Sequence, residues 1–237
     1  MRLDKFLSNM GYGSRKEVKV LLKSKAVEVN GEVVRDPKVH VNETADLVTV
    51  SGEKVEYTEF IYLLMNKPQG VISATEDKYE GTVIDLLEEA ERNFEPFPVG
   101  RLDKDTEGFL LLTNDGKLAH ELLSPKKHVD KRYFAVIDGK VTAKDGAAFE
   151  QGVMLDDGYV TKPAQLKILK SGEKSEIELT ITEGKFHQVK RMFQSVGKEV
   201  TYLKRLSMGP LELDPKLKLG EYRHLAEEEI ELLKQRK

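Results

Sequence analysis

The stretch GRLDKDTEGFLLLTNDG, residues 100–116, gathers Arg101, Asp103, Lys104, Asp105 and Glu107 just ahead of an apolar run. A carboxylate at the mouth of a strand is placed to act as a nucleophile or a base. Cations beside it keep it ionised at neutral pH. Local chemistry alone leaves three readings open: an acidic active-site loop, a charged turn without a chemical role, or a metal site built on Asp103-x-Asp105. For the last, no histidine or further carboxylate cluster completes a coordination shell. Asn114 and Asp115 read as a turn after the strand. A second group of candidates lies in EGKFHQVKRMFQSVG, residues 183–197, where Lys185, His187, Lys190 and Arg191 fall close together. Phe186 and Phe193 share its helical spacing and read as core.

The elements that must carry these residues are legible as periodicity. Apolar strand-like runs recur at Ile61–Met65, Phe109–Leu112, Tyr133–Ile137, Ala164–Ile168, Ile177–Ile181 and Val200–Leu203. Helical spacing falls at Val83–Ala90, Lys117–Leu123, Lys144–Gly152 and Phe186–Val196. Several strands follow one another with no helix between them. That predicts an α+β fold with a mixed, mostly antiparallel sheet flanked by helices. The tail AEEEIELLKQRK reads as a short terminal helix.

Residues 1–58 read as a separate small unit. Leu3, Phe6, Leu7 and Met10 give a first helix, ended by Gly11 and Gly13. Ser14 is an N-cap with Glu17 at the capping-box position. The second helix sets Val18, Leu21 and Leu22 against Arg15, Lys16, Lys19 and Lys23. AVEVNGEVV then gives a hairpin turning at Asn30-Gly31, VNETADLVTVSG adds a strand, and EKVEYTEF is a polar connector to a second domain, 59–237. This order resembles the S4 RNA-binding domain on the pieces MRLDKFL, SRKEV and VEVNGEVV. The resemblance implies phosphate contacts from such cations as Arg2, Lys5, Arg15, Lys16 and Lys19.

GRLD followed by TEGFLLLTNDG closely resembles the catalytic motif of RNA pseudouridine synthases of the RsuA/RluB/RluE/RluF type. MNKPQG (65–70), KRYFAV (131–136), EGKFHQVKRMFQSVG and LGEYRHLAEEEI (219–230) resemble further blocks of that family, in the same order. The wording and length look most like the RsuA branch. The resemblance implies Asp103 as nucleophile, Tyr133 as the active-site tyrosine and Lys190 as the basic partner, where the family often has arginine. It implies a uridine in small-subunit (16S) ribosomal RNA as substrate. A large-subunit (23S) target and a noncatalytic rRNA-binding assembly factor are the alternatives. Arg101, Lys104, Lys185, His187 and Arg191 are candidate RNA contacts.

The isomerisation detaches a base from its sugar and rejoins it through carbon. It involves no redox step and no group transfer, so neither a cofactor nor a metal is expected. The carboxylate either acts at the sugar, as in a glycosidase, or adds to C6 of the ring. The chain of 237 residues has no cysteine, which excludes disulfides, thiolate nucleophiles and Cys-ligated zinc. The N-terminus lacks the apolar core of a signal peptide, and no apolar run reaches the roughly 18 residues a membrane helix needs. A cytoplasmic protein without membrane contact is expected, a monomer by default, meeting rRNA in an assembly intermediate. Net charge is −3, but residues 1–40 and Lys185–Arg205 are basic while Glu76–Glu95 is acidic, the distribution of an RNA-binding face on an acidic protein.

Overall fold

The computed structural model describes residues 1–124 and 127–235. The chain divides into two compact units, one of Met1–Ile61 with Leu87–Glu95, the other of Tyr62–Leu86 with the described chain from Pro96 onward.

The first unit contains α1 (Leu3–Asn9), α2 (Arg15–Lys23), β1 (Val27–Val29), β2 (Glu32–Val33), β3 (Val48–Val50), β4 (Glu53–Lys54) and the short α3 (Glu89–Arg92). Its strands run β2-β1-β3-β4, all antiparallel. The Ser14 hydroxyl accepts from the Glu17 N–H while the Glu17 carboxylate accepts from the Ser14 N–H, so the expected capping box is formed. Asn30 and Gly31 both turn at positive φ, 54° and 84°, the conformation an Asn-Gly hairpin demands. Leu3, Phe6, Leu7, Val18, Leu22 and Val27 share one core with Val41, Val48, Val50 and Val55. Residues 53–60, expected as a connector, are partly folded into this unit: β4 lies here, and Tyr57 stacks on Phe6 at 5.3 Å.

The second unit contains β5 (Tyr62–Lys67), β6 (Phe97–Pro98), β7 (Glu107–Thr113), α4 (Gly116–Leu123), β8 (Lys131–Asp138), α5 (Ala143–Gln151), β9 (Gln165–Lys170), β10 (Lys174–Ile181), α6 (Gln188–Ser195), β11 (Glu199–Met208), β12 (Leu211–Glu212), β13 (Tyr222–His224) and α7 (Glu227–Lys234). Its sheet runs β13-β5-β7-β11-β8-β10-β9, with β12 added to β11 and β6 to β7. The halves β13-β5-β7 and β11-β8-β10-β9 are antiparallel within themselves, and β7 and β11 meet in parallel. The expected α+β class and mostly antiparallel sheet are present.

β5 and β7 are buried along nearly their whole length, as near-continuous apolar strands covered on both faces must be. Tyr62, Leu64, Phe109 and Leu111 share a core with Leu118, Ala119 and Leu122 of α4 and Leu233 of α7. β8, β10 and β11 alternate instead. The period of two puts Tyr133 and Arg205, direct partners in the β8–β11 register, on the buried face. At the β7–β11 junction Gly108 has φ +104°, and a Cβ there would lie 2.2 Å from the Arg205 carbonyl oxygen. Only glycine permits that approach.

Two expected helices differ. Val83–Ala90 is not one helix but a 3-10 turn at Ile84–Leu86 followed by α3, with Glu88 extended between them at φ −70°, ψ 162°. The Asp85 carboxylate accepts from both the N–H and the hydroxyl of Thr82, capping a turn that goes no further than Leu86. The helix expected from Phe186 begins only at Gln188, because His187 sits in the left-handed region at φ 48°. Phe186 is therefore off the helix and exposed, a correction to its assignment to the core. Phe193 is buried, edge-on to Phe149 at 5.1 Å.

Candidate active site

The loop that precedes β7 is fastened by the strand-turn MNKPQG. Lys67, fully buried at the end of β5, donates from Nζ to the carbonyls of Pro68, Asp103 and Thr106, each at 3.0 Å. The Gly70 N–H donates to the Lys104 carbonyl at 2.9 Å, and the Thr106 N–H donates to that of Asp103. The Ser73 hydroxyl both donates to the Leu102 carbonyl and accepts from the Leu102 N–H, at 3.0 Å each. The carbonyls of three successive residues, Leu102, Asp103 and Lys104, and both backbone groups of Thr106 are thus tied down around Asp103. Burial pulls the Lys67 ammonium down to about 8, against the opposing pull of the Asp103, Asp105 and Glu107 carboxylates.

This loop forms one wall of a cavity of about 520 Å³, large enough for a nucleotide. Asp103 lines it with its side chain 28% exposed. His187 Nε2 stands 3.5 Å from Asp103 Oδ1, and Lys190 Nζ 3.4 Å from Oδ2. Lys190 lies closer to Asp105, at 2.7 and 2.9 Å to its two oxygens, and that hydrogen bond holds the Asp105 carboxyl below its ordinary range. Glu107 accepts from the Tyr202 hydroxyl at 2.6 Å. Of the three acids in the loop, Asp103 alone belongs to the cavity wall. Among the described residues no group of three or more His, Cys, Asp or Glu comes together as a metal cluster.

The structure brings Asp103, Tyr133, Arg101, Lys185 and His187 to this cavity. Lys190 reaches Asp103 without lining the cavity. Lys104 pairs with Glu80 at 2.6 Å. Arg191 is held by Asp156 and Asp157, its Nη2 2.7 Å from Asp157 Oδ2. Both are in structural ion pairs off the cavity wall. In the first unit, Lys5, Arg15, Lys16 and Lys19 are exposed. Arg2 is engaged: burial pushes the Asp4 carboxyl up, but the Arg2 guanidinium, 2.7 Å away, brings it below its ordinary range.

Three further cavity groups carry no functional reading in the sequence. Arg205 of β11 is 1% exposed, and its Nε donates to the Phe109 carbonyl at 2.8 Å. Glu183 is buried and accepts from the Tyr159 hydroxyl, the Lys162 N–H and Gln188 Nε2 at 2.6, 2.9 and 2.7 Å, which anchors the loop carrying Lys185 and His187. Phe186 stacks on the His187 ring with centroids 3.7 Å apart. The alternation of β11 signals Arg205 as an inward-facing cation. Glu183 and Phe186 carry no such local signal.

Comparison with known proteins bears on what this cavity serves. The RNA pseudouridylate synthase family matches residues 61–195 and the S4 domain residues 1–48. The chain is 60% identical, over 98% of both chains, to a Bacillus subtilis (strain 168) protein named "Uncharacterized RNA pseudouridine synthase YtzG". It is 40% identical both to the ribosomal small subunit pseudouridine synthase A of Vibrio vulnificus (strain CMCP6), covering 98% of each chain, and to the ribosomal large subunit pseudouridine synthase B of B. subtilis (strain 168), covering 98% of this chain and 95% of the relative. A solved structure described as a pseudouridylate synthase superposes with a TM-score of 0.69 at 36% identity, covering 98% of this chain and 99% of its own. The chain belongs to the RNA pseudouridylate synthase family, to the RsuA type that couples an S4 domain to the catalytic domain.

Proposed function

We propose that this chain converts one uridine of small-subunit (16S) ribosomal RNA to pseudouridine, with the Asp103 carboxylate as nucleophile. The observation that carries the nucleophile's identity is the partition of the loop's acids. Asp105 is bound by Lys190 and Glu107 by Tyr202, while Asp103 faces the cavity. The target uridine leaves its stack to reach this half-buried carboxylate. The C1′–N1 bond breaks, a C1′–C5 bond forms, and the proton lost from C5 is matched by one gained at N1, so the isomerisation balances with no other reactant. Asp103 acts at the sugar or adds to C6. Lys190 supplies a positive charge 3.4 Å from it. Tyr133 stacks on the uracil, and its hydroxyl takes the C5 proton. Arg101 and Lys185 contact phosphates or the flipped base.

Residues 1–58 serve in this proposal as the RNA-binding module, with Lys5, Arg15, Lys16 and Lys19 on phosphates, and 59–237 as the catalytic domain. The enzyme acts as a monomer, in the cytoplasm, on rRNA in an assembly intermediate. The RsuA-like blocks and the V. vulnificus relative support the 16S target. The B. subtilis large-subunit relative, equally identical at 40%, makes a 23S uridine the second reading. Pseudouridines mapped in both rRNAs from cells with and without the gene decide. The expected result is one site missing from 16S. A site missing from 23S moves the target, and no missing site overturns the enzymatic role in favour of a noncatalytic assembly factor.

A further inference from the structure

Phe186 is an apolar ring that the fold leaves 72% exposed on a cavity whose lining also carries Arg101, Lys185 and His187. It is held in a defined pose. One face lies on the His187 imidazole, 3.7 Å between centroids and 19° between planes. The left-handed backbone of His187 makes that stack, and the buried Glu183–Gln188 bond behind it anchors the loop. With one face covered and most of the ring exposed, the other face is open. The arrangement has a direction: Asp103, then His187 at 3.5 Å, then Phe186 at the cavity mouth. Next to it, Lys185 lies over the Tyr159 ring at 4.4 Å.

We propose that the open face of Phe186 is a subsite for the unpaired nucleobase adjacent to the target uridine. This rests on the reading of the substrate as RNA. Flipping the uridine strips its neighbour of a stacking partner. A pre-positioned aromatic ring at the mouth replaces that partner, whichever base it is, because every base has a π-face. An aliphatic side chain would supply apolar area without the planar match. Phe186 is thus a positioning residue for the strand, distinct from Tyr133, which meets the uracil itself.

The test uses the full chain and a short single-stranded RNA with the uridine at its centre and 2-aminopurine on its 5′ or 3′ side. Wild type and Phe186→Trp quench the 2-aminopurine from one of the two sides. Phe186→Ala and Phe186→Leu lose the quench and bind about tenfold more weakly, the scale of one base–aromatic stack. With modifiable rRNA, the loss falls on the half-saturating RNA concentration more than on the saturating rate. An unchanged quench in Phe186→Ala, or a Phe186→Leu variant that behaves as wild type, overturns the proposal. So does a loss confined to the saturating rate, which would mark Phe186 as a mere backing for His187. The quench needs binding only, so it decides the subsite even if no rRNA is modified, a result that would sink the proposed reaction instead.

Discussion

Lys67 ties the loop of Asp103 to β5 from a fully buried position, and that makes the site sensitive to alkali in two opposite ways. Its ammonium falls from an ordinary 10.5 to about 8 in the fold because burial disfavours the charge. Between those values the unfolded chain holds the proton and the folded chain has released it. Stability contributed by this group therefore rises with pH across that window, by about 3 kcal/mol at 1.36 kcal/mol per tenfold. Below pH 8 its full cost is present, and above 10.5 it is gone. The loop responds in the other sense. An ammonium has three N–H groups for the carbonyls of Pro68, Asp103 and Thr106. A neutral amine has two, so one carbonyl loses its donor and the backbone that aims Asp103 loosens. The assay compares wild type with Lys67→Met in urea titrations at pH 7 and pH 10.5, so that other titrating groups cancel in the difference. Wild type gains about 3 kcal/mol relative to the variant over that range, while its single-turnover rate of pseudouridine formation falls as pH passes about 8. Stability curves that stay parallel within about 1 kcal/mol would refute the account of Lys67.

Three other perturbations separate the roles assigned above. Asp103→Asn abolishes pseudouridine formation, a loss of at least about 10⁴-fold, with RNA binding nearly intact, whereas Asp105→Asn, which frees Lys190 for Asp103, keeps the rate within about tenfold; a single-turnover assay on rRNA reads both. Gly108→Ala costs about 2–5 kcal/mol in chemical unfolding, combining backbone strain at φ +104° with a Cβ 2.2 Å from the Arg205 carbonyl. Replacing Arg15, Lys16 and Lys19 together by Gln weakens RNA binding and makes its log–log salt dependence shallower by about two, measured by filter binding between 50 and 200 mM salt.

What the sequence made legible was whatever local chemistry decides. Asn30-Gly31 declares its turn because few other pairs tolerate two positive φ values, and Ser14 with Glu17 declares a helix start through groups three residues apart. The strands of the catalytic domain follow from alternation or from unbroken apolar runs. Asp103 was visible as one acid of three, and only the family blocks preferred it. What separates it in space are partners far along the chain: Lys190 on Asp105 and Tyr202 on Glu107, at separations of 85 and 95 residues. The same holds for Arg191, which looks free in a basic helix but is taken by carboxylates 34–35 residues earlier. Phe186 departs from the expected core position because helical spacing assumes a continuous helix, and one left-handed residue, His187, interrupts it. Lys67 lies within the MNKPQG block, yet nothing local announces a buried ammonium on three carbonyls.

The parallel junction of β7 and β11 also dictates when this protein can begin to work. Gly108 and Arg205 pair across 97 residues, and the Arg205–Phe109 bond spans 96. During translation Asp103 leaves the ribosome long before the strand that completes its cavity. At roughly 5–20 residues per second the nascent chain carries the carboxylate for several seconds or more without the opposing wall. Every fragment ending before residue 205 therefore lacks the wall opposite Asp103, and the site is complete only once β11 has paired with β7.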